Sequence, residues 1–197
     1  MSIQALAALA RRLNREAGAP PVRALYFFTD PERTPDPVAI AQRLPAGTAV
    51  VYRHFGASGR AQVARKLATV CRAQRLVLLV AADPELAERV GAAGVHWPER
   101  KLPTARDARF NLVTTSAHSR EAHARAAAWG ASVCILGPVF ETKSVSGNAP
   151  LGLFRASQIA RGSTIPVIAL GGIAPGNARR LSGRGFAGFA AVDVFLD

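Results

Sequence analysis

Residues 165–181 read IPVIALGGIAPGNARRL, and the fold turns on them. The run PVIAL (166–170) is short and continuously apolar, the pattern of a strand covered on both faces in a parallel sheet. Two glycines follow, then Pro175, a residue suited to the first turn of a helix, where its missing N–H costs nothing. The stretch predicts a buried strand, a glycine turn and a helix beginning near Pro175. Glycines at such a junction let backbone N–H groups approach a ligand closely, and a helix N-terminus favours an anion. A tight turn needs the same residues, so Gly171 and Gly172 read equally as a phosphate cradle and as plain punctuation.

The same grammar runs through the chain. Short apolar runs stand at 24–28 (ALYFF), 48–52 (TAVVY), 75–80 (RLVLLV), 93–97 (AGVHW), 110–115 (FNLVTT), 132–137 (SVCILG), 166–170 and 188–194 (GFAAVDV). Between most of them lie Ala/Arg-rich stretches of helical length, such as SGRAQVARKLATVCRAQ and SREAHARAAAWG. Strand and helix alternating every 20–30 residues or so argues for βα units on a parallel sheet. Eight runs predict an α/β fold, a single-domain (β/α)8 TIM barrel, although a typical one takes about 250 residues; an open doubly wound sheet is the alternative. No linker or compositional break divides the 197 residues. The expected layout is an N-terminal helix within residues 1–20 and a barrel over 23–194. Only Phe195, Leu196 and Asp197 follow the last run, which predicts a truncated last helix. The extra N-terminal helix, residues 3–16, is expected to cover that gap or to cap the barrel bottom.

Composition narrows the partners. At 49% hydrophobic and 19% charged, the chain is too apolar for disorder and long enough to bury a core. No apolar run approaches the roughly 20 residues of a membrane span. In MSIQALAALARRLNREAG the arginines follow the apolar part, the order of an amphipathic helix rather than a secretory leader. Cys71 and Cys134 stand in no metal or redox spacing, and the expected setting is reducing and cytoplasmic. The net charge of +12 comes almost wholly from arginine, Lys66, Lys101 and Lys143 being the lysines. Those arginines are scattered, without a basic block or interleaved aromatics, so nucleic acid is not the expected partner.

Active sites of parallel barrels lie at the C-terminal ends of the strands. That rule selects Thr29 and Asp30, Arg53 and His54, Asp83, His96, Thr115 and His118, Thr142, Lys143 and Ser144, Gly171 and Gly172, and Asp193. Donors dominate this set, which suits an anionic ligand, a small phosphorylated molecule above all. Plainer readings stand beside these: Thr29 and Asp30 can make a turn, His118 can be a solvated first-turn residue, and FETKSVSGNAP can be an ordinary surface loop.

Taken together, GPVFETKS (137–144), IPVIALGGI (165–173), GAAGVHW (91–97), ALYFFTD (24–30) and TSAHSREA (115–122) resemble the thiamine phosphate synthase/TenI family, in order and spacing over nearly the whole chain. The resemblance implies a (β/α)8 barrel of thiamine biosynthesis. Synthase members join a hydroxymethylpyrimidine diphosphate to a thiazole phosphate with Mg²⁺ and loss of pyrophosphate; TenI members aromatise the thiazole phosphate. It also implies phosphate-binding roles for Gly171, Gly172, Thr142 and Ser144, with Thr115 at the family's serine. Arg53 falls on the arginine that meets the diphosphate, and with Lys143 and His118 it makes up the expected catalytic set.

The departures fall on the catalytic half. The pyrimidine-binding glutamine is replaced by Val51 and the diphosphate lysine by Phe55. Ala81 and Ala82 stand at the family's metal-binding Asn-Asp, with Asp83 one place off; Lys101 replaces the second metal aspartate, so no metal ligand set is expected. Pro138 takes the place of TenI's histidine, and Asp193 that of a serine beside the phosphate. A carboxylate about 4 Å from a phosphate charge costs on the order of 4 kcal/mol at an effective dielectric near 20. Asp193 therefore points elsewhere, is compensated by Lys143, or marks a different ligand. Three functions are compatible with this pattern: a synthase-like or TenI-like enzyme, a catalytically silent protein that binds a thiamine precursor, and a barrel enzyme acting on another small phosphate.

Overall fold

Alternation carries through to the structure, a computed structural model that describes residues 1–142 and 149–196. Eight strands, β1 (Leu25–Phe28), β2 (Ala49–Tyr52), β3 (Val77–Ala81), β4 (Gly94–Trp97), β5 (Leu112–Ala117), β6 (Val133–Leu136), β7 (Val167–Leu170) and β8 (Gly188–Ala191), fall one on each of the eight expected runs, β3 and β5 extending one and two residues past theirs. All pair in parallel with their sequence neighbours, and β8 closes on β1 through the register Leu25↔Phe189, Tyr26↔Ala190 and Phe27↔Ala191. The closed (β/α)8 barrel is thus the fold, and the open sheet is excluded.

Alternate residues of each strand face opposite ways. Tyr26, Phe28, Ala49, Val51, Leu79 and Ile135 fill the barrel interior, while Phe27, Val50, Tyr52, Leu78 and Val80 pack outward under the helices. Because both faces are buried, the strands read as unbroken apolar runs. The outer helices are α1 (Ile3–Glu16), α2 (Pro37–Ala41), α3 (Arg60–Ala73), α4 (Pro84–Val90), α5 (Arg120–Ala128) and α6 (Leu153–Arg161). Among the described residues, no helix is long and apolar enough to cross a membrane.

Helix α1 takes the place beside β8 and β1 that a last helix would fill. It buries Leu6, Ala7, Ala10 and Leu13, and the Glu16 carboxylate accepts from Ser182 Oγ and the Gly183 N–H at 2.8 and 2.9 Å. After β8 comes a 3₁₀ turn, Asp193–Phe195, whose Phe195 ring meets Phe27 edge-on at 5.4 Å.

One expectation is corrected. No α-helix begins near Pro175; residues 175–177 form a turn, followed by a 3₁₀ segment, Ala178–Leu181. Gly176, Gly183 and Gly185 each weaken a helix by about 1 kcal/mol, and the Asn177 side chain competes with it. Its Oδ1 accepts from the Ala174 N–H at 2.9 Å and its Nδ2 donates to the Gly172 carbonyl at 2.8 Å. The anion argument at Gly171–Gly172 therefore loses its helix dipole and rests on backbone amides alone.

Candidate functional site

A cavity of about 530 Å³ opens at the C-terminal ends of the strands. Its floor is apolar, with Phe28, Ile135, Leu170 and Ala190, and its rim is polar, with Arg33, Arg53, His118, Thr142 and Asp193.

The glycine turn forms one wall. Gly171 and Gly172 have φ of +96° and +64°, and the β6 extension runs hard against them. The Val139 N–H donates to the Leu170 carbonyl at 2.8 Å and the Phe140 N–H to the Gly171 carbonyl at 3.0 Å. A Cβ on Gly171 would lie 2.5 Å from Pro138 Cβ, and one on Gly172 2.1 Å from the Glu141 carbonyl oxygen. Both glycines are thus required by backbone packing. Their amides are a separate matter: the N–H groups of Gly172 and Ile173 donate to no group among the described residues, and both residues line the cavity. Thr142 lines it too, whereas Lys143 and Ser144 lie outside the described residues.

Polar residues of β4 and β5 form the opposite wall. His96 is buried, its Nδ1 sharing a hydrogen bond with Thr114 Oγ1 at 2.9 Å and its Nε2 one with Ser116 Oγ at 3.1 Å. Burial, reinforced by the nearby Arg53 cation, pushes its pKa down to about 3. The unfolded imidazole titrates near 6.5, so between pH 6.5 and 3 the unfolded chain holds a proton that the native chain does not, and stability falls as pH falls. The slope is about 1.4 kcal/mol per pH unit across that window. Urea unfolding between pH 6.5 and 4 is expected to show it, and His96→Gln to flatten it. An equal slope in that variant assigns the acid sensitivity elsewhere.

Register decides which β5 residues reach the cavity. Val113 and Ala117 belong to the outward core, so Thr115 between them shares that face. It is fully buried and its hydroxyl donates to the Ser116 carbonyl at 3.3 Å. Thr115, expected at the phosphate, does not line the cavity; Ser116 does. His118, two residues on, also lines it. Ser119 caps α5, so His118 precedes the helix rather than sitting in its first turn. Glu99 Oε2 accepts from both the His118 backbone N–H, at 2.9 Å, and Nδ1, at 2.7 Å, while Oε1 pairs with Arg125 at 3.1 Å. A carboxylate on Nδ1 fixes the tautomer that leaves the Nε2 lone pair available as a base.

The third wall is ionic. Arg53 is anchored by the Thr29 carbonyl, which accepts from Nε at 2.8 Å, and by Thr29 Oγ1, which accepts from its backbone N–H at 2.9 Å. Burial pushes the guanidinium down to about 10, against the opposing pull of Asp30, so it stays charged at neutral pH. Burial acts to raise the Asp30 carboxyl, but hydrogen bonds from Arg33 and Glu32 and the Arg33 charge outweigh it and hold the pKa below the usual range. Arg33 bridges Asp30 at 3.1 Å and both carboxylate oxygens of Asp193 at 3.2 Å. Asp193 is thus compensated by Arg33, a residue that the strand-end rule did not select. Asp30 and Arg33 stand three apart in one turn, which is a local signal; the 160-residue reach to Asp193 has none.

The Mg²⁺ that the resemblance implies does not fit this site. Ala81 and Ala82 carry no ligand atoms in their side chains, Lys101 is a cation, and Asp83 is committed elsewhere. Its Oδ1 caps α4 by accepting from the Leu86 N–H at 2.9 Å, and its Oδ2 pairs with Arg60. Among the described residues no group of three or more His, Cys, Asp or Glu is placed to hold a metal. Lys101 stands outside the cavity lining, with Nζ 4.9 Å from the centre of the Phe55 ring, which does line it.

The chain has relatives among known proteins in both sequence and fold. A family model described as thiamine monophosphate synthase matches residues 25–195. The thiamine-phosphate synthase of Chromobacterium violaceum is 37% identical over 194 residues, covering 90% of each chain. That of Alcanivorax borkumensis is 32% identical over 188 residues, covering 89% of this chain and 86% of the other. Among solved structures, a thiamine phosphate pyrophosphorylase from Pyrococcus furiosus superposes with a TM-score of 0.72 at 26% identity, covering 87% of this chain and 90% of that one.

Proposed function

Because the chain belongs to the thiamine monophosphate synthase family, we propose that it binds a phosphorylated thiazole or pyrimidine precursor, with the phosphate on the Gly171–Gly172 turn and the ring on the apolar floor. One observation carries this reading: the uncommitted amides of Gly172 and Ile173 border a cavity floored by Phe28, Ile135 and Leu170. Backbone donors of this kind suit an oxyanion, and a flat heterocycle suits the floor. Thr142 supports the phosphate, and Lys143 and Ser144 carry the same role from the family motif. Arg53 offers a fixed charge to a second phosphate group, and His118, oriented by Glu99, is the proton-transfer group.

Thermal unfolding tests the binding. The thiazole phosphate at a hundred times its Kd stabilises by about 2.7 kcal/mol, which raises Tm by roughly 5–10 °C in a domain of this size. The dephosphorylated thiazole alcohol is expected to give little shift. Equal shifts from the two compounds would remove the phosphate from the argument.

Catalysis departs from the synthase pattern. With Asp83 spent and Lys101 in a carboxylate's place, the purified protein is expected to form little thiamine phosphate from the pyrimidine diphosphate and thiazole phosphate in Mg²⁺. Turnover matching that of the Chromobacterium violaceum relative, assayed side by side, would overturn this part of the reading.

A further inference from the structure

Around Phe55, on the β2–β4 side of the mouth, lies a group of charges that the glycine turn and the Arg33 bridge leave unused. Phe55 is 45% exposed and lines the cavity. Two cations approach its ring, Lys101 with Nζ at 4.9 Å and Arg60 with Cζ at 5.8 Å. They differ in kind. Arg60, the first residue of α3, is largely buried, pairs with Asp83, and donates from Nη2 to the Ala81 carbonyl at 2.9 Å. It also lies 5.9 Å from the Tyr52 ring. Lys101 is exposed and makes no ion pair among the described residues.

These observations divide the labour. Arg60 and Asp83 neutralise each other, and the carboxylate that might have bound a hard cation is locked by a guanidinium and a helix cap. The pair closes the position to metal. A divalent ion there would meet Arg60 directly and Lys101 nearby, with repulsion at short range in place of the six oxygen ligands that Mg²⁺ demands. Lys101 is the remaining net positive charge. The face of an aromatic ring attracts an ammonium, so Phe55 serves as a platform that holds a long, flexible side chain at the rim.

We infer that this protein takes a diphosphate-class anion at its mouth without a divalent cation, Lys101 on Phe55 supplying the charge and the Arg60–Asp83 pair plugging the metal position. The inference rests on the reading that the mouth receives a phosphate-bearing ligand. An ammonium acts on phosphate as a point charge, so its position matters more than its orientation, and arginine at 101 is able to substitute for it.

Calorimetric titration of the full chain with inorganic pyrophosphate, at low ionic strength where exposed charges are least screened, tests the inference. In EDTA pyrophosphate is expected to bind, and excess Mg²⁺ to leave the affinity unchanged or lower it, since Mg²⁺ complexes the free anion. Lys101→Ala weakens binding about tenfold, equivalent to about 1.4 kcal/mol, and Lys101→Arg retains it. An unchanged thermal midpoint confirms that Lys101→Ala, a surface substitution, folds normally. Tenfold tighter wild-type binding in Mg²⁺, or unchanged affinity in Lys101→Ala, overturns the inference. If the thiazole phosphate binds but pyrophosphate does not under either condition, the inference falls while the functional reading stands; if neither binds, both fall.

Discussion

Gly171→Ala lowers the unfolding free energy by about 3 kcal/mol, more than any surface substitution in this chain is expected to cost. Two terms contribute. The native φ of +96° is foreign to an L-residue and costs alanine roughly 1–2 kcal/mol. The added Cβ would then sit 2.5 Å from Pro138 Cβ and 2.6 Å from Pro138 Cα, and overpacking of this kind costs about 1–3 kcal/mol. The contact has little room to relax, because a Cβ on the neighbouring Gly137 would itself lie 2.2 Å from the Leu170 carbonyl oxygen, so the two backbones are already pressed together. The expected fall in Tm is roughly 6–12 °C. Gly176→Ala is the internal control: its backbone does not need a positive φ and its Cβ would meet nothing within 4 Å, so it should be close to neutral. A loss below 1 kcal/mol in Gly171→Ala shows that the 138–141 segment yields to the turn, and that the glycines are there for the ligand rather than for packing.

How much of this was legible in the sequence depends on whether a contact is local or long-range. The eight strands were legible because a barrel strand buried on both faces leaves an unbroken apolar run. The glycine turn was legible because few residues other than glycine tolerate its backbone. The helix expected at Pro175 does not form, since the same Pro-Gly-Asn punctuation that opens a helix also makes a turn when asparagine binds the backbone behind it. Thr115 departs from its expected place for a different reason. In LVTTSA any register is consistent with the residue types, and only the closed barrel shows that Thr114 and Ser116 face in while Thr115 faces out. Glu99 and His118 meet because β4 and β5 are neighbours, and Arg33 meets Asp193 because β8 closes on β1. Neither pairing has a signature in spacing.

That last contact supports a prediction opposite in sign to most substitutions at a binding site. Asp193→Asn is expected to tighten binding of the thiazole phosphate roughly thirtyfold, about 2 kcal/mol. A bare carboxylate about 4 Å from the ligand's phosphate would cost on the order of 4 kcal/mol at an effective dielectric near 20. Arg33 lies 3.2 Å from both carboxylate oxygens and cancels part of that, and the Asp193 side chain is 60% exposed, so solvent screens more. Taking the two effects together to halve the bare figure leaves about 2 kcal/mol. Neutralising Asp193 removes the repulsion and also releases the Arg33 guanidinium, which stays anchored on Asp30 and lines the same cavity. Arg33→Ala acts the other way, leaving Asp193 uncompensated at the mouth and weakening the phosphate ligand. The double variant should bind more tightly than Arg33→Ala alone, because it removes the carboxylate charge that Arg33→Ala leaves uncompensated. Titration at low salt measures all three, with the dephosphorylated alcohol as the neutral reference that none of them should affect. If Asp193→Asn binds no more tightly than the native chain, the ligand phosphate lies away from the β8 end, and the Arg33–Asp193 bridge is a brace between the β1 loop and the chain after β8 rather than a filter on ligand charge.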